Sequence, residues 1–249
     1  MKKLVNFLVC GTQKGGTSAL HNYLIKHPKL YLPKQKELHY FNNEKIDWKT
    51  TNHEVYHKHF TENNFKEKLC GEATPIYMYW NKSAKRIFEY NKNIKIIISL
   101  RNPITRSYSH WKLSKERNIE KRTFYDAISS EVEYIKSDLS SQNRYFSYVD
   151  RGFYTQQLNR LNQFFPKDQI IIIRHEDLLF KHQETLTKVF NFIGVESEYN
   201  IPCQHINVSL DQSYMSKEEK NLLKNIFYDE IKKLEIMLDW DCRSWLEYE

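Results

Sequence analysis

Apolar residues recur along this chain in two rhythms. Short runs at residues 4–10, 94–100 and 169–173 are rich in Val, Ile and Leu and are bounded by polar or turn-forming residues. Such runs are the signature of strands covered on both faces. Apolar positions at helical spacing fill residues 17–26, 103–116, 153–165, 181–192 and 217–238. Pro103 fits the first turn of its helix, and Pro166 stops the helix that runs to Phe165. This alternation predicts an α/β class, a single domain with a mainly parallel central sheet flanked by helices. In such sheets, ligands bind beyond the carboxyl ends of the strands. No Gly/Ser/Pro linker, repeat or low-complexity tract divides residues 1–249, a length that one core can serve.

The first run ends in Gly11-Thr12-Gln13-Lys14-Gly15-Gly16-Thr17-Ser18, where a helical pattern begins. A strand, a glycine-rich turn and a helix start make a cradle for phosphate. Backbone N–H groups and the positive end of a helix dipole both favour an anion there. Gly15 and Gly16 let the backbone approach closely. Thr17 and Ser18 add hydroxyl donors, and Lys14 adds a mobile charge. In the nucleotide-hydrolase loop the lysine follows the last glycine, in the order G-K-[ST]. Here Lys14 precedes the glycine pair, and no G-K-[ST] occurs in the chain. The lysine therefore enters the phosphate site from a different point on the loop.

The run at 94–100 leads directly into Arg101-Asn102-Pro103-Ile104-Thr105-Arg106-Ser107-Tyr108-Ser109. Arg106 and Ser109 are three apart and share a helix face. An arginine fork suits phosphate because it offers bidentate, permanently charged hydrogen bonds. Two phosphate-type motifs in this order, about 85 residues apart, resemble those of the sulfotransferases that use 3′-phosphoadenosine 5′-phosphosulfate (PAPS). The motifs are closest to the carbohydrate, heparan-sulfate-type members, whose phosphate loop is P-loop-like. The resemblance implies that Gly11, Thr12, Gln13, Lys14, Gly15, Gly16, Thr17 and Ser18 hold the donor's 5′-phosphosulfate. It assigns the 3′-phosphate to Arg101 and Ser109, with Arg106 matching the family's intervening arginine.

Further segments carry the resemblance across residues 5 to 195. Lys36-Glu37-Leu38-His39-Tyr40-Phe41 matches a K-E-x-H-[FY]-F segment, which implies Glu37 as general base and His39 as the second candidate. Cys70-Gly71-Glu72-Ala73-Thr74-Pro75-Ile76-Tyr77 resembles the family's G-E-x-[ST]-P-x-Y segment near the acceptor site. Residues 117–150, polar and aromatic, read as an insertion that shapes the acceptor cleft, and 196–216 read as a lid loop. Residues 207–214 lack the G-K/R pair of the family's closing loop, so the resemblance assigns no lid contact to the adenosine. The implied reaction moves the sulfuryl group of PAPS to an acceptor hydroxyl and releases 3′,5′-ADP. A saccharide leads among the acceptors; a polyketide or lipid hydroxyl and a protein tyrosine are the alternatives. Lys14 would neutralise charge growing on the bridging oxygen. No metal is required, because lysine and arginine supply the charge that magnesium supplies in kinases.

Three other readings fit less well. His53-Glu54-Val55-Tyr56-His57 is a literal H-E-x-x-H, the zinc-protease pattern. It fixes only three positions in a chain with 10 histidines, and the longer metzincin form fails at Phe60 and Asn63. A polar helix is the better reading of this segment. An ATP-dependent phosphotransferase would carry its lysine after the glycines and an acidic residue at a strand end, where this chain has Arg101 and Arg174. A catalytically dead binding module would have no need of Lys14, Glu37, Arg101 and Ser109 together.

Charge and cysteines refine this picture. The net charge of +7 and the isoelectric point near 9.0 suit an anionic nucleotide donor and an acidic glycan. No nucleic-acid module or long basic run is present. The four cysteines, at 10, 70, 203 and 242, form no CxxC, and Cys10 and Cys70 read as buried thiols. Only seven mostly apolar residues separate Met1-Lys2-Lys3 from the phosphate loop, too few for a signal peptide or a membrane span. The expectation is a cytoplasmic enzyme without a membrane span.

Overall fold

The computed structural model describes residues 4–137, 142–203 and 214–247. In chain order its elements begin with β1 (Phe7–Gly11), α1 (Thr17–Leu24), β2 (Leu30–Tyr31), α2 (Glu54–His57), α3 (Glu62–Glu67) and β3 (Leu69–Ala73). They continue with α4 (Ile76–Tyr79), α5 (Ser83–Tyr90), β4 (Lys95–Leu100), α6 (Pro103–Glu116), α7 (Phe124–Lys136) and α8 (Tyr154–Asn162). β5 (Ile170–Arg174), α9 (His175–Phe180), α10 (His182–Ile193) and α11 (Lys217–Leu238) complete the order. The described residues fall into two compact units, one of 4–100 with 160–203, the other of 101–137 and 142–159 with 214–247.

The first unit holds the sheet. Its strands lie in the order β2-β3-β1-β4-β5, and every pairing is parallel. That is the α/β architecture the apolar pattern predicts. β1 sits at the centre, with Leu8 opposite Glu72 of β3 and Ile96 of β4. Phe7, Leu8, Val9 and Cys10 are all fully buried, as a strand covered on both faces requires. Phe7, Val9, Leu20, Leu24, Ile97, Val189 and Phe190 belong to one core cluster, so side chains of α1 and α10 cover the same region of sheet. Each such side chain contributes about 1.5–3 kcal/mol by leaving water. After β1 the chain moves toward β3 and β2, and after β4 it moves toward β5. The order reverses between β1 and β4, the point in open α/β sheets where ligands bind beyond the strand ends. Register shifts between Val9 and Gly11 at that point, which bends β1 as it enters the glycine-rich loop.

The second unit is helical. Asn102 caps α6 by accepting the Ile104 N–H at 2.9 Å, and its side-chain amide donates to the Trp245 carbonyl at 3.1 Å. α7 lies inside the segment read as an insertion and starts at a Thr123 cap. Its buried Glu131 accepts the N–H groups of Val149 and Asp150, both at 2.8 Å. Glu230 of α11 likewise takes the N–H and hydroxyl of Thr155, at 2.7 and 2.8 Å. The helix expected over 153–165 stops at Asn162, because the Phe164 and Phe165 N–H groups both turn back to the Leu161 carbonyl. Residues 204–213, the middle of the expected lid loop, lie outside the described residues.

Candidate active site

The phosphate-type loop is built on β1 and pinned to β4. Thr12 donates both its N–H and its hydroxyl to the Ser99 carbonyl, at 2.8 and 3.0 Å. Ser99 returns its own hydroxyl to the Gly15 carbonyl at 2.6 Å. Gly15 donates to the Thr12 carbonyl at 2.9 Å, which closes the turn. A Cβ on Gly15 would lie 2.5 Å from both the Ser99 oxygen and the Thr12 hydroxyl, so only glycine fits. Gly16 adopts φ +84°, a conformation open to glycine, and stands as the N-cap of α1 without any side-chain cap. The first turn of α1 holds no acidic residue. Its amide end therefore keeps the positive character that attracts an anion. Lys14 is half-buried in this loop, also with positive φ.

Lys36 joins this loop to the proposed base. Its ammonium donates to the Thr17 hydroxyl at 3.2 Å, the Ser18 hydroxyl at 2.9 Å and Glu37 Oε1 at 3.2 Å. His39 Nε2 lies 3.4 Å from the other Glu37 oxygen, and its Nδ1 hydrogen-bonds Asn42 Oδ1 at 3.2 Å. Burial pushes the Glu37 carboxyl up, but the His39 hydrogen bond and the Lys36 charge outweigh it and hold the group down at about 2. The structure thus brings Thr17, Ser18, Glu37 and His39 together, with Lys36 as the link. Sequence reasoning placed Lys36 in a motif and gave it no role. Ser99 was missed as well, although a lone serine in an isoleucine run was a legible signal.

Arg101 follows β4 directly and lies in the helical unit with Ser109, both half-buried. The Arg101 guanidinium donates to the Thr105 hydroxyl at 3.2 Å, and its carbonyl accepts the Tyr154 hydroxyl at 2.9 Å. Arg106, three residues before Ser109, is fully buried and donates to the Tyr148 carbonyl. The histidines of the H-E-x-x-H segment are engaged by tyrosines: His53 Nδ1 with the Tyr40 hydroxyl and His57 Nε2 with that of Tyr90, both at 2.9 Å.

A sulfotransferase domain model matches residues 5–237. The chain belongs to the sulfotransferase family. This sulfotransferase is 27% identical to the membrane-associated sulfotransferase kil1 of Dictyostelium discoideum, over 96% of this chain and 66% of that protein. It is 26% identical to heparan sulfate glucosamine 3-O-sulfotransferase 5 of Homo sapiens, over 81% of this chain and 57% of that one. The chain thus spans less than two thirds of the length of these curated relatives. The crystal structure of a sulfotransferase from Alicyclobacillus acidocaldarius superposes with a TM-score of 0.82 at 25% identity, covering 99% of this chain and all of that one. Mouse sulfotransferase SULT7A1, solved in complex with PAP, shares the fold at a TM-score of 0.54 and 14% identity, over 94% and 86% of the two chains. Among the described residues of this sulfotransferase, no helix is long and apolar enough to cross a membrane.

Proposed function

We propose that this sulfotransferase moves the sulfuryl group of PAPS to an acceptor hydroxyl, a saccharide first, and releases 3′,5′-ADP. One observation carries the reading: the Lys36 ammonium hydrogen-bonds the Thr17 and Ser18 hydroxyls and the Glu37 carboxylate at once. Phosphate-loop chemistry and a carboxylate base are thereby within reach of a single side chain. In this reading residues 11–18 hold the phosphosulfate, and Lys14 stabilises charge on the bridging oxygen as 3′,5′-ADP leaves. Arg101 and Ser109 take the 3′-phosphate. Glu37 removes the acceptor proton, and His39 orients it. A carboxylate held at about 2 is a weak base. The donor's own negative charge competes for Lys36, and that competition returns basicity to Glu37 when the donor is bound. The chain's own cations supply the charge that the reaction needs, without a metal. The product nucleotide bound to SULT7A1 supports the donor, and the heparan sulfate relative supports a glycan acceptor.

Calorimetry in the presence of EDTA tests the donor. 3′,5′-ADP is expected to bind clearly more tightly than AMP, and Arg101→Ala to weaken it by about 1.5–3 kcal/mol, the scale of a hydrogen bond to a charged group. Equal affinity for the two nucleotides overturns the 3′-phosphate assignment. Radiolabelled PAPS offered with saccharide, lipid and tyrosine acceptors tests the second substrate, and label on any class but saccharide overturns that part.

A further inference from the structure

We propose that Glu72 and Tyr77 are positioning residues that hold the segment bearing Glu37 and His39 in its working shape. This inference rests on the sulfuryl-transfer reading above. Glu72 is 1% exposed, yet it lies in β3 opposite Leu8 at the centre of the sheet. Three hydroxyls serve its carboxyl: Thr74 at 2.7 Å, Tyr56 at 3.4 Å and Tyr77. The Tyr77 hydroxyl also accepts the backbone N–H groups of Tyr40 at 2.9 Å and Phe41 at 3.3 Å. Both lone pairs of that oxygen are turned to the 40–41 backbone when its proton points at Glu72. One residue past Glu72, the Ala73 carbonyl accepts the Glu37 N–H at 2.9 Å. The stretch from 37 to 41 is therefore tied at one end to the last residue of β3 and at the other to α4.

Between those ties the backbone is strained. Glu37 and His39 adopt φ of 62° and 54°, in the left-handed region that side-chain-bearing residues avoid. Such conformations persist only where the surroundings over-determine them. Here the ties do so, and they fix the two side chains whose mutual geometry the reaction uses. An apolar residue at 72 would leave the Tyr77 proton without a buried acceptor and its hydroxyl free to rotate off the 40–41 amides. Burial pushes the Glu72 carboxyl up to about 7 against the pull of its Thr74 and Tyr77 hydrogen bonds. Ionised or protonated, it keeps an acceptor oxygen for Tyr77. The glutamate of the G-E-x-[ST]-P-x-Y segment thereby acquires a mechanical role.

Tyr77→Phe removes one oxygen and keeps the ring. Its kcat is expected to fall by roughly tenfold to a hundredfold, the scale of a small misplacement of catalytic groups, with the Kd for 3′,5′-ADP within about twofold. Amide hydrogen exchange at Tyr40 and Phe41 should quicken while that of β1 and β4 does not. Glu72→Gln keeps an acceptor and should retain most of the turnover that Glu72→Ala loses. Turnover equal to wild type in Tyr77→Phe overturns the proposal, as does parallel loss of turnover and 3′,5′-ADP affinity. Wild-type protein that transfers no sulfuryl group defeats the functional reading instead. The exchange comparison still decides the anchoring, and unchanged exchange at residues 40 and 41 overturns it.

Discussion

The Glu37 carboxylate meets a lysine ammonium on one oxygen and an imidazole on the other, at 3.2 and 3.4 Å. Burial raises its pKa, these partners lower it further, and the result is about 2. A group depressed in this way stays ionised as pH falls through the range where an ordinary glutamate titrates, near 4.3. The profile of kcat/KM, which reports the free enzyme, should therefore stay level between pH 6 and 4 as far as this carboxylate is concerned. A limb near 4.3 would show that Lys36 and His39 do not hold it. Glu37→Gln keeps the shape and removes the base, so kcat should drop roughly a hundredfold or more with 3′,5′-ADP affinity almost unmoved. His39→Ala should cost less. Lys14→Ala should lower kcat far more than product affinity, because its charge acts on the transition state. A variant with normal turnover and only a raised donor KM would make Lys14 a binding residue.

At the scale of elements, β1, the loop and α1 act as one device, and its glycines are its most exacting positions. A methyl group on Gly16 would force a side chain into φ +84° and meet the His175 ring at 2.8 Å. Gly16→Ala should then cost about 1–2 kcal/mol for the backbone alone, read as a lower denaturant midpoint, and should weaken 3′,5′-ADP as well. Unchanged stability and affinity would mean that the loop relaxes freely. Much of this device was legible in the residues. β4 and α6 announce themselves through an isoleucine run and an Asn-Pro start, and α6 spans 103–116 as its periodicity predicts. β3 did not announce itself. Its residues paired with β1, Gly71, Glu72 and Ala73, are small or charged, so neither a β-branched run nor alternation marks it. It is a strand because β1 and β2 pair with it on either side, while the Phe7 ring fills the space beside Gly71 and three hydroxyls satisfy Glu72. Lys36 escaped for a similar reason: in a chain of 38 basic residues only tertiary contacts single one out.

For the molecule as a whole, five carboxyls among the described residues are shifted far enough, to about 2 or about 7, to shape how stability follows pH. Burial pushes Glu72 and Glu131 from 4.5 up to about 7. Glu44, through its Arg86 hydrogen bonds, is drawn down to about 2; Glu37 and Glu120 reach the same value because their partners outweigh burial. The two sets act in opposite directions. A carboxyl raised on folding binds its proton more tightly in the native state, so its stabilisation is complete below about 4.5 and is lost as pH rises through 7. A carboxyl lowered on folding stabilises above 4.5, and that stabilisation is lost as pH falls toward 2. The melting temperature should accordingly peak near pH 5 and decline on both sides. Glu131 isolates the alkaline side, because it accepts the Val149 and Asp150 N–H groups and is assigned no part in the proposed chemistry. Glu131→Gln should melt lower than wild type at pH 5, since an amide replaces one of the two acceptor oxygens. Its decline between pH 5 and 8 should be shallower, since one titrating group is gone. Melting curves of the two proteins at half-unit steps decide the matter: parallel slopes would show that Glu131 titrates alike in the folded and unfolded chain.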